Sequence, residues 1–89
     1  MSKPYIETKS KSIIYRSFDM SVDNSELVWH RDKKTRLVEV IGGKGWYFQA
    51  DNGLPIELKV GDVFTIKKET YHRIIKGKTP LKVMIKELD

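Results

Sequence analysis

Two histidines, His30 and His72, are the side chains of this 89-residue chain with an ordinary charge change near neutral pH. An imidazole can donate or accept a hydrogen bond, move a proton, or ligate a metal. Asp32 follows His30 by two residues, so on an extended segment both side chains leave the backbone on the same side. If these groups meet His72, the chemistry open to them is acid–base work or a nitrogen–oxygen metal site. There are no cysteines, which excludes a disulfide framework and a thiolate metal centre. Local spacing alone leaves open whether residues 30, 32 and 72 come together.

The elements that must position them read as strands. Gly61-Asp62 is a turn, Val63 to Ile66 are β-formers, Lys67-Lys68-Glu69 is a polar turn, and Tyr71 to Ile75 resumes the β pattern. Glu26 to Arg31 reads as a strand with Leu27, Trp29 and Arg31 on one face and Val28 and His30 on the other, Asp32 joining the His30 face. Thr35 to Ile41 sets Arg36, Val38 and Val40 against Leu37, Glu39 and Ile41. The glycines at 42, 43 and 45 serve a turn and not a phosphate loop, because no helix follows. Trp46 to Ala50 is a strand, and Asp51-Asn52-Gly53 a hairpin turn. Leu54, Ile56, Leu58 and Val60 alternate as a half-buried strand, with Pro55 marking its edge or start. Ser12 to Phe18 and Leu81 to Glu87 complete the set.

Helical periodicity is missing, and short strands with regularly spaced turns predict an all-β sandwich or barrel. Residues 1–11 read as an arm or edge strand and 12–89 as one domain. The formal charge is +5, but the basic residues are scattered, which predicts a solvated lysine-rich surface rather than a nucleic-acid footprint. No apolar run reaches membrane length and no signal-peptide core follows Met1, so a cytoplasmic protein without membrane partners is expected.

The run Val40-Ile41-Gly42-Gly43-Lys44-Gly45-Trp46, then Gly61-Asp62-Val63, then His72, resembles the small single-domain cupins with an RmlC-like jelly roll. The resemblance covers roughly residues 26–87 and implies an antiparallel β-barrel. Gly61 and His72 keep the spacing of the second cupin motif, while Lys67 stands for its Pro and Glu69 for its inner Gly. Counted back from the turn at Gly43, His30 takes the first histidine position of the first motif, Asp32 the second, and Arg36 the place of the metal-binding Glu.

What the resemblance implies divides in two. In one reading His30, Asp32 and His72 hold a single Fe, Mn, Ni or Zn ion, with open positions for oxygenase, isomerase or lyase chemistry on a small polar or anionic molecule. The same His-x-Asp and distant His is similar to the 2-oxoglutarate oxygenases, whose co-substrate is held by a basic residue about ten positions later, where Lys82 stands. In the other reading Arg36 grips Asp32 as a bidentate pair, no metal binds, and the pocket is a non-catalytic anion-binding or assembly module. Arg36, Tyr47, Gln49, Tyr71 and Lys82 are the candidate ligand-binding residues. Trp29, Trp46 and Phe48 read as core or interface. A homodimer is expected through Leu27, Trp29, Leu37 and Ile41, which share the face opposite the candidate site.

Overall fold

The computed structural model describes residues 6–10, 12–19, 27 and 29–88. Most of the loop expected over Asp19 to Ser25, and Glu26 and Val28 of the next expected strand, lie outside the described residues. Eight strands are described: β1 (Ile6–Ser10), β2 (Ile13–Phe18), β3 (Arg36–Gly42), β4 (Tyr47–Ala50), β5 (Ile56–Glu57), β6 (Val63–Ile66), β7 (His72–Ile75) and β8 (Leu81–Glu87). Among the described residues there is no helix, so the chain is all-β.

The strands form two sheets. One has the order β1-β2-β8-β3-β6 and the other β5-β4-β7, and every pairing is antiparallel. Alternation decides which side of each strand is buried. Val38 and Val40 of β3, and Leu81, Val83 and Ile85 of β8, face inward, as their period of two predicts. They form a core with Ile14, Phe18, Leu27, Trp46 and Leu58, against which Phe48, Phe64, Ile66 and Ile74 pack. Residues 6–10 of the expected arm are a strand at the edge of the larger sheet, in register with β2 from Ile6↔Ser17 to Ser10↔Ile13.

Two glycines are required by geometry. Gly61 has φ of 97°, its N–H donates to the Val40 carbonyl, and the turn delivers β6 onto β3. A side chain at Gly77 would collide with the Trp46 ring and the Lys44 carbonyl. Backbone and indole therefore lie in direct contact, with the Trp46 Nε1–H donating to the Thr79 carbonyl.

Two expectations fail here for physical reasons. The stretch Leu54 to Val60 is not a half-buried strand: only Ile56–Glu57 pairs, and Leu54 is 83% exposed, with Ile56 and Val60 also exposed. Pro55 offers no N–H and β5 lies at a sheet edge, so pairing stops after two residues; of the four alternating apolar residues only Leu58 turns into the core. Nor do Leu27 and residues 29–31, the described residues before Asp32, form a regular strand. His30 makes one isolated bridge, and Leu27 is buried in the core instead of joining Trp29 on an outer face.

Candidate metal and ligand site

Residues 30, 32 and 72 do meet, and backbone pairing brings them together. The His30 N–H donates to the His72 carbonyl at 3.0 Å, and the His72 N–H returns the bond to His30 at 2.9 Å. The Glu69 N–H donates to the Asp32 carbonyl at 2.7 Å, tying the polar turn before β7 to the same segment. Glu69 reaches that position with φ of 64°, a left-handed conformation that disfavours a side chain. It stands where the resemblance to the second cupin motif implies an inner Gly.

The ligand atoms that His30, Asp32 and His72 offer all lie within 4.8 Å of one another. Asp32 Oδ2 is 3.3 Å from His72 Nε2, and Asp32 Oδ1 is 3.9 Å from His30 Nε2. The two imidazoles meet edge to face with centroids 4.4 Å apart, and Phe48 stacks on His72. The His72 side chain is buried, whereas half of the His30 side chain is exposed.

His72 Nδ1 lies 3.0 Å from the Thr70 carbonyl, which can only accept, so Nδ1 carries the proton. In the neutral ring Nε2 then presents a lone pair toward Asp32. Asp32 Oδ2 is buried and has no hydrogen-bond partner among the described residues. Two lone pairs facing each other at this distance repel unless a proton on either group or a metal ion lies between them. The donor set therefore fits a divalent ion: a buried orphan carboxylate oxygen beside an imidazole nitrogen whose partner nitrogen is fixed by a carbonyl.

Arg36 lies at the site but does not chelate Asp32. Its NH1 is 3.3 Å from Asp32 Oδ1, while NH2 donates to Glu87 Oε2 at 3.2 Å. The expected bidentate pair is thus a bridge between two carboxylates. The register that sets Arg36 opposite Glu87 in the β3–β8 ladder makes it so. The Arg36 Nε–H is buried and has no acceptor among the described residues. Burial pushes the Asp32 carboxyl up, but the His72 contact and the charges of Arg36, His72 and His30 outweigh it, holding Asp32 below its ordinary range.

These groups stand at a cavity of about 350 Å³ between the sheets. His30, Asp32, Arg36, His72 and Arg16 supply its polar lining; the remaining lining residues are aliphatic or phenyl. The other candidate ligand residues do not line it. Tyr47 and Gln49 share the parity opposite to Phe48; Tyr47 borders a recess near Gly43, and Gln49 bonds Gly53 and Arg73. Lys82 points outward between inward Leu81 and Val83. Tyr71 is exposed beneath Arg31 and lines an outer recess that shares His72, Phe48 and Ile66 with the cavity. Arg16 and Glu87 were not anticipated as site residues. Their signal was ladder position: Glu87 opposes Arg36, and Arg16 opposes Val83.

No protein-family model and no curated protein matches the sequence. Solved structures match through the fold. A cupin domain from Bordetella pertussis aligns with a TM-score of 0.63 at 18% identity, covering 100% of this chain and 99% of that one. A structure of DMSP lyases aligns with a TM-score of 0.74 at 16% identity, covering 86% of this chain. Iron(II) HppE in complex with substrate aligns with a TM-score of 0.69 at 12% identity, covering 99% of this chain. This chain spans only 37% of the lyase structure and 55% of the HppE structure. The two-sheet antiparallel architecture is therefore that of the cupin fold.

Proposed function

We propose that the barrel is a small-molecule site in which His30, Asp32 and His72 hold one divalent metal ion and a polar or anionic ligand binds beside it. The observation that carries the reading is the buried Asp32 Oδ2, which makes no hydrogen bond among the described residues and faces His72 Nε2 at 3.3 Å. A bound ion would supply Lewis-acid or redox chemistry, which suits oxygenase, isomerase or lyase activity. The chain's own residues have separate tasks. Thr70 fixes the His72 ring, Arg36 holds Asp32 in place, and apolar side chains line the rest of the cavity. His30, half exposed at the rim, is placed to exchange a proton with solvent when it is not a ligand. Two structures of the same fold, the DMSP lyases and iron(II) HppE with its substrate, support the chemical class.

A second reading rests on the Arg36–Asp32 contact. With His72 doubly protonated, Arg36, Asp32 and His72 form a closed charge cluster, and the barrel is a metal-free binding module. Elemental analysis after reconstitution with Fe(II), Mn(II), Ni(II) or Zn(II) separates the two. About one equivalent of ion, lost in Asp32→Ala, supports the metal centre; less than about a tenth of an equivalent leaves the metal-free reading. In either form we propose a single cytoplasmic domain that pairs as a homodimer through its exposed sheet face.

A further inference from the structure

The apolar composition of the cavity points to a narrower ligand class than a small polar molecule. Phe18, Phe48, Phe64, Ile66, Ile74 and Val83 line it, and its polar groups are few. A wholly hydrophilic ligand would leave those walls without contact and would lose its own hydration. Two buried polar atoms also make no hydrogen bond among the described residues: Asp32 Oδ2, which faces His72 Nε2, and the Arg36 Nε–H. A divalent ion answers the first and an anionic oxygen the second. With such an ion present, the Arg36–Asp32–Glu87 group carries net positive charge, which favours an anion over a neutral or cationic head.

We infer that the ligand is an amphiphilic monocarboxylate, its carboxylate at Arg36 and its compact aliphatic or aromatic body between the two sheets. This inference rests on the reading of the barrel as a small-molecule site. A cavity of about 150 Å³ accepts benzene, so roughly eight carbons with a carboxylate suit this larger volume.

Calorimetric titration of the full chain, with and without Zn(II), tests it with acetate, butanoate, hexanoate, octanoate and decanoate, and with hexan-1-ol and hexylamine as head-group controls. Affinity for the acids should rise by roughly threefold to fourfold per methylene up to about eight carbons and then level off. Hexanoate should exceed hexanol and hexylamine by about tenfold or more. Arg36→Met should remove that preference and keep the chain-length trend. Val83→Phe, which fills the cavity from β8, should shorten the preferred chain and keep zinc uptake. Equal affinity for acetate and octanoate, or for hexanoate and hexylamine, overturns the inference. Zinc uptake with no chain-length trend removes the ligand class alone. A trend and acid preference without zinc uptake support the ligand class and remove the metal centre.

Discussion

Arg36 engages one oxygen of Asp32 and leaves the other facing His72 Nε2, because its second amino group is drawn to Glu87. The position where the resemblance to the cupin first motif implies a metal-binding Glu thus carries a cation that orients a carboxylate without consuming it. Whether the site takes a metal then depends on Asp32 Oδ2 and His72 Nε2, which Arg36 does not engage.

The three candidate ligands should contribute unequally to metal affinity. Asp32→Ala and His72→Ala are each expected to weaken binding by at least a hundredfold. His30→Ala should cost less, about tenfold, because half of that side chain faces solvent and it is the farther imidazole from Asp32. Competition titrations against a chromophoric chelator read all three. Equal losses at His30 and His72 would contradict this order.

Arg36→Met should trade fold stability for metal affinity. The substitution strips Glu87 and Asp32 of their shared cation, costing about 1–3 kcal/mol in the metal-free protein. Asp32 then has both oxygens free, so affinity for a divalent ion should rise by about tenfold. Urea denaturation with and without zinc measures both effects together. A stabilisation by saturating zinc no larger in the variant than in the parent chain would show that Arg36 does not compete for Asp32.

Glu69→Gly should stabilise the protein by about 0.5–1 kcal/mol, since glycine adopts the left-handed φ of 64° without the steric cost paid by glutamate. The Glu69 N–H bond to the Asp32 carbonyl survives the change. The exposed Arg31–Glu69 contact at 3.8 Å is too weak to reverse the sign. The midpoint of a guanidinium titration is the readout, and Glu69→Ala, which keeps a Cβ, should give no such gain.

Asp32 predicts an acid limb in stability. Its folded-state carboxyl titrates below the ordinary value of 3.8, so the folded state holds its proton less tightly than the unfolded chain. The resulting stabilisation is fully present above the unfolded value and is lost as pH falls through the folded one. Asp32→Asn should flatten this part of the stability–pH curve. Stability measured between pH 2 and pH 5 at constant ionic strength, over about three units around the ordinary carboxylate range, tests it.

Much of the fold was legible because alternation is a local property. Val38 and Val40, and Leu81, Val83 and Ile85, follow it and are buried. Leu54, Ile56 and Val60 follow it equally well and are exposed, because burial also needs an opposing layer, which β5 lacks at its edge. Within the site, the spacing from Gly61 to His72 led to the right pair of strands. The division of Arg36 between Asp32 and Glu87 was not legible. It depends on a ladder between β3 and β8, which joins residues 51 positions apart. The Thr70 carbonyl, which assigns the His72 tautomer, was hidden because any residue type can supply a main-chain oxygen.

The reciprocal bonds between His30 and His72 give the site a built-in reporter. The same two residues that offer imidazoles also close the seam between a loop segment and β7 through their own amides. Prising the site apart to admit a large ligand breaks that seam, and amide exchange at positions 30 and 72 registers it. A ligand that slips past the side chains alone leaves both amides protected. Entry route and seam opening are thereby separable by looking at two protons.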